Sequence, residues 1–105
     1  MDQVQFQKVI DEQVAEIGSV LGAKAVEYAR GDRLSNFKRA AALKKTTPER
    51  ALEGMMTKHV IAIYDYIDDL EAGKVMPLPV WHEKIGDTIN YLVLLRALIE
   101  ERASV

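Results

Sequence analysis

The chain has 105 residues, 49% of them hydrophobic and 29% charged, with a formal net charge of −2 at pH 7. Those values fit one soluble globular domain over residues 1–105, with enough chain to bury one core, and exclude the disordered and fibrous classes. The absence of cysteine removes a disulfide scaffold, a thiolate zinc site and a cysteine nucleophile, and the weak acidic balance gives no reason to expect nucleic acid or an anionic membrane as a partner.

In chain order, the first predicted helix runs from about Gln3 to Ala29. Phe6, Ile10, Val14, Ile17, Leu21, Ala25 and Tyr28 recur at steps of three or four and form one apolar stripe. Beside it Ala15, Gly18, Gly22, Ala25 and Ala29 make a stripe of small residues. Such a stripe lets another backbone approach closely, which points to a tight helix pair or a homodimer contact. Gly31 stops the helix. The opening Met1–Phe6 lacks a basic start followed by an apolar run, so no secretory signal is expected and the cytoplasm is the expected location. Arg30-Gly31-Asp32 spells an integrin-ligand tripeptide, which means little without an export route.

A short second helix is predicted over about Leu34 to Lys45, with Asp32 or Ser35 as its cap and a dense run of cations, Lys38, Arg39, Lys44 and Lys45. Thr47-Pro48-Glu49 reads as the next helix start: a capping hydroxyl, a proline at the first helical position and an acid against the dipole. The third helix then extends to about Ala72 and stops at Gly73. Pro77 and Pro79 bracket a linker, and a fourth helix covers about Pro79 to Arg102. The apolar run Ile89–Ile99 within it, broken by Asn90 and Arg96, is too short to span a bilayer. The fold class is all-α: a four-helix bundle of three long helices and one short one.

The informative positions are polar residues where the pattern asks for apolar ones. On the third helix Leu52, Met55, Met56, Ala62, Ile63, Tyr66, Ile67 and Leu70 define the expected buried face. His59 falls at its centre, four residues after Met55 and four before Ile63, with Lys58 at its edge. An imidazole there is either a core histidine satisfied by a carboxylate or carbonyl, or part of a ligand or metal site. On the fourth helix Trp81, Ile85, Leu92, Leu95 and Ile99 form the main expected apolar face, while Tyr91, Leu94 and Leu98 cover another side of its second half. Following the Leu94–Leu98 side toward the N-terminus leads to Glu83, Asp87 and Asn90. Two carboxylates one turn apart repel unless something positive lies between them. A divalent cation, Lys58, Arg33 or protonated His59 would serve, and a solvated face is the remaining alternative.

The phrase Glu83-Lys84-Ile85-Gly86-Asp87, followed by Ile89-Asn90-Tyr91-Leu92, resembles the Glu-Glu-x-Gly-Asp helix of the all-α NTP pyrophosphohydrolases, the MazG-like group. The segment Glu27–Lys38, the pair Lys58-His59 and the run Asp87-x-x-Asn90-Tyr91 are similar to small phage-encoded helical proteins distantly related to nucleotide-processing families. The resemblance implies an Mg²⁺-dependent hydrolase of a nucleoside phosphate, in the host cytoplasm if the chain is phage-encoded. Carried onto this sequence, it makes Asp32, Glu83 and Asp87 the metal ligands. His59 and Lys58 become the catalytic candidates, His59 orienting or exchanging a proton and Lys58 neutralising phosphate charge. Arg33, Asn36, Lys38, Asn90 and Tyr91 become the substrate-binding candidates, cations for phosphates and amide and aromatic groups for a base.

The sequence departs from the family pattern at two points. Lys84 stands where the second glutamate belongs, and the third helix lacks the Glu-Glu-x-x-Glu cluster. Either the metal site is rebuilt from Asp32, Glu83 and Asp87, or the scaffold persists without catalysis. The alternative function is thus a non-catalytic helical dimerisation protein, with the Gly18–Gly22 stripe at the contact and Lys58, His59, Glu83 and Asp87 as a polar network fixing helix register.

Overall fold

Among the described residues four helices form, close to where the apolar periodicity places them: α1 (Gln3–Glu27), α2 (Ser35–Lys44), α3 (Pro48–Glu71) and α4 (Leu78–Ala103). The computed structural model describes residues 1–27 and 31–104, and for residues 23–27 the backbone alone. The expected positions Tyr28, Ala29 and Arg30, and the side chain of Ala25, lie outside that description. Among the described residues there is no strand, so the chain is all-α, with three long helices and one short. No described helix is long and apolar enough to cross a membrane. The chain divides into two compact units, Met1–Arg33 and Leu34–Val105.

In the first unit α1 opens with a reciprocal capping box. The Asp2 N–H donates to Gln5 Oε1 and the Gln5 N–H donates to Asp2 Oδ1, both at 2.8 Å, which satisfies two backbone donors at the helix start. The stripe is exposed at Phe6, Ile10 and Val14 and half-buried at Ile17 and Leu21.

The second unit is held by α3, which packs on both α2 and α4. Leu52 is fully buried at its centre, against Leu34, Phe37 and Leu98, with Met55, Tyr91, Leu94 and Leu95 around it. The start of α2 differs from expectation, because the N-cap position falls on neither Asp32 nor Ser35. Leu34 occupies the N-cap position without a side-chain bond, and its side chain is buried in the core, so packing fixes the entry. The end of α2 is a Schellman turn. Thr46 N–H reaches Ala41 O at 2.9 Å and Lys45 N–H reaches Ala42 O at 3.4 Å, with Lys45 in the left-handed region at φ 54°. A side chain in that conformation costs roughly 1 kcal/mol that glycine avoids. Lys45→Gly is therefore expected to stabilise the unit by about that amount, read as a higher urea midpoint at unchanged slope.

α3 starts as its sequence predicts, with Thr47 Oγ1 accepting the Arg50 N–H at 3.2 Å and Pro48 in the first turn. It ends at Gly73, whose φ of 84° permits the Gly73 N–H to reach Leu70 O at 3.0 Å and the Lys74 N–H to reach Asp69 O at 2.8 Å. The C-terminal end of α4 is tied down by polar contacts. Arg102 makes two hydrogen bonds to Glu49 at 2.8 Å, and Lys38 of α2 pairs with Glu101.

Two expected faces are only partly buried. On α3, Ile67 and Leu70 are exposed, beyond the stretch that the core reaches. On α4, Ile85, Leu92 and Ile99, expected on the main buried face, are exposed. At about 100° per residue they lie across the helix from Leu94 and Leu98, the side that faces the core. Trp81 and Leu95 of the same expected face are half-buried, Trp81 with its ring edge-on to Tyr66 at 5.6 Å.

Candidate functional site

The apolar register of α3 carries His59 into the interior, where it is 8% exposed. Its ring meets α4. The centroid lies 5.5 Å from that of Tyr91, tilted by 39°, and Nδ1 lies 3.5 Å from Asp87 Oδ2. That separation is too long for a good hydrogen bond, and Nδ1 is buried without a hydrogen-bond partner, as is Oδ1 of buried Asn90 one turn beyond Asp87.

Burial pushes the His59 pKa below its ordinary value of 6.5, because removing the ring from water penalises the charged form. Asp87 pulls the other way and Lys84 and Lys58 reinforce the depression, while Glu83 opposes it weakly. His59 is thus neutral at pH 7, and its encounter with Asp87 is not an ion pair there. The unfolded chain takes up the imidazole proton at a higher pH than the folded one. His59 therefore contributes stability that is full above pH 6.5 and is lost as the pH falls below it. Glu49, its carboxyl held below 4.5 chiefly by the Arg102 hydrogen bonds, adds a second loss at more acid pH. His59→Gln should flatten the stability profile just below pH 6.5 and leave the lower, Glu49-dependent limb in place, as measured by urea unfolding across pH.

Along α4, Glu83 is exposed, Asp87 and Tyr91 are half-buried and Asn90 is buried. Tyr91 and Lys58 share a groove of about 770 Å³ between the end of α2 and the first half of α3, to which Lys44, Arg50, Glu53 and Gly54 also contribute. Arg50 Nη1 pairs with Glu53 Oε1 at 2.6 Å. Among the described residues, Lys44 and Lys58 have no carboxylate partner. Three cations against one carboxylate make this groove positive on a protein whose net charge is −2.

The structure thus brings together His59, Asp87 and Tyr91 in direct contact, with Lys58 and Glu83 close enough to act on the imidazole. Asp32 and Arg33 belong to the Met1–Arg33 unit. Lys38, expected to meet phosphate, is engaged by Glu101 instead, and Asn36 is exposed on α2. Among the described residues no group of three or more histidines, aspartates and glutamates is placed to hold a metal ion. The second unit offers the two carboxylates Glu83 and Asp87, which suits Mg²⁺ only in the mode where phosphate oxygens and waters complete its shell.

Sequence reasoning missed Lys44, Arg50 and Gly54. The signal was present: Arg50, Gly54 and Lys58 recur every four residues and so share one face of α3. The chain matches no family model, no curated protein and no solved structure.

Proposed function

We propose that this chain is a nucleotide-processing protein of the kind its sequence resembles, binding a nucleoside phosphate in the groove beside His59 and acting in the cytoplasm. The observation that carries the reading is that Lys58 and Tyr91 line one groove while Tyr91 also contacts the neutral, buried His59 that faces Asp87. Lys58 supplies positive charge for phosphate and Tyr91 a face for a base. The reaction class that fits is hydrolysis of a phosphate ester or anhydride. Glu83 and Asp87 would hold Mg²⁺ together with phosphate oxygens and waters, and the ion would supply charge neutralisation and an activated water. His59 is neutral at working pH, so its imidazole is free to accept a proton, with the Asp87 carboxylate 3.5 Å from Nδ1.

Calorimetric titration with nucleoside triphosphates, with and without Mg²⁺, and a phosphate-release assay test the reading. Binding weakened by Lys58→Ala and by Tyr91→Ala is the expected result. Absence of both heat and phosphate release at millimolar nucleotide would overturn it.

A second reading has its own observation. Leu78, Ile85, Leu92 and Ile99 recur every seven residues along α4 and all are exposed, and a methyl group built on Gly18 or Gly22 of α1 meets no atom within 4 Å. A phage-type homodimer covering such faces, catalytic or not, would sediment as twice the chain mass. A monomer at high micromolar concentration excludes it.

A further inference from the structure

The face of α3 that lines the groove carries Arg50, Gly54 and Lys58 on three successive turns, with Lys44 contributed by the end of α2. Eight residues of helix separate the two α3 cations by about 12 Å along the axis, and both have long side chains able to reach inward. Between them stands a glycine in mid-helix. Glycine is among the poorest helix formers, and within the described structure nothing demands it here, since a Cβ built on Gly54 meets no atom within 4 Å. The residue therefore leaves bare backbone and open space at the middle of a positively charged groove.

We propose that the Arg50–Gly54–Lys58 face, with Lys44, is a binding track for a short polyphosphate chain. The inference rests on the nucleoside-phosphate reading only for what is attached to that chain, because the same chemistry would take an inorganic polyphosphate. Arg50 presents five N–H donors in a planar fork that matches phosphoryl oxygens. Glu53 engages one of its nitrogens, so the rest of the fork remains open to a ligand. Lys44 and Lys58 act as point charges toward the two ends, and the missing side chain at position 54 lets the phosphates approach the helix.

Inorganic tripolyphosphate is the direct probe, titrated by calorimetry against the intact chain at low salt, with orthophosphate, a nucleoside and a nucleoside triphosphate as comparisons. Tripolyphosphate should bind, more tightly than orthophosphate, and lose affinity as salt rises. Lys58→Gln and Arg50→Gln should each weaken it about tenfold or more. Gly54→Leu should weaken it as strongly while leaving the melting temperature unchanged or higher, since leucine is a good helix former facing open space. That combination separates a blocked track from a damaged fold.

Tripolyphosphate binding that ignores Gly54→Leu and Lys58→Gln overturns the track. Nucleoside triphosphate binding unaffected by those variants overturns the nucleotide reading of this groove and leaves the track to be judged on tripolyphosphate alone. If tripolyphosphate binds in the track and the nucleoside triphosphate binds no better, the track stands and free polyphosphate replaces the nucleotide as its ligand. If no phosphate compound binds, both fall.

Discussion

Leu52→Ala is expected to destabilise the Leu34–Val105 unit by roughly 3 kcal/mol, within the 2–5 kcal/mol range for truncating a buried leucine. The side chain is fully buried where α2, α3 and α4 supply Phe37, Met55 and Leu98 to one cluster. Removing three carbon atoms there takes apolar contacts from three helices at once. The surrounding helices are pinned by Glu49–Arg102 and Lys38–Glu101, so they relax little into the space. A unit of this size has only about 5–10 kcal/mol to lose, and the variant should unfold at a much lower urea concentration. Leu52→Met, which nearly conserves volume, should cost less than about 1.5 kcal/mol. Equal losses for the two variants would mean that the position is not packed as described.

The second large effect is expected from Asp87→Asn, and it falls on ligand-linked stability rather than on the fold. His59 is neutral at pH 7 because burial outweighs the pull of Asp87, so removing the Asp87 charge strands no buried cation. It also relieves repulsion with Glu83 one turn away. In EDTA at pH 7.5 the variant should therefore melt at or above the parent. With nucleotide and Mg²⁺ at about 100 times their dissociation constant, the parent should gain about 2.7 kcal/mol and the variant little of it. The opposite pattern, a variant several kcal/mol weaker in EDTA beside a parent indifferent to Mg²⁺, would identify Asp87 as a structural partner and remove the metal from the account.

Local signals carried most of the fold. Thr47-Pro48, Gly73 and the step of three and four along α3 are short-range features, and the structure places a cap, a left-handed stop and a buried Leu52–His59 face where they indicate. Sequence periodicity failed where two faces of one helix are both apolar. On α4 the wheel offers Ile85–Leu92–Ile99 and Leu94–Leu98 as rival core faces. Only tertiary packing decides between them, and it selects Leu98. The start of α2 shows the same limit, since the N-cap position falls on a buried Leu34 rather than on Asp32 or Ser35.

The candidate site divides along similar lines. His59 and Asp87 each stand out as polar residues on an apolar register, and they meet. Lys38 did not declare its partner, because Glu101 is distant in sequence. Arg50, Gly54 and Lys58 looked like ordinary surface until α2 and α4 placed Lys44 and Tyr91 in the same groove.

The central claim is that this groove receives a phosphate-bearing ligand next to the His59–Asp87 pair. A ¹H–¹⁵N correlation titration of the whole chain with a nucleoside triphosphate, at low salt and with Mg²⁺, tests it residue by residue. Shifts should concentrate in the amides of residues 44–58 and 87–91 and saturate together. Shifts confined to other parts of the chain, or none at millimolar ligand, would contradict the account.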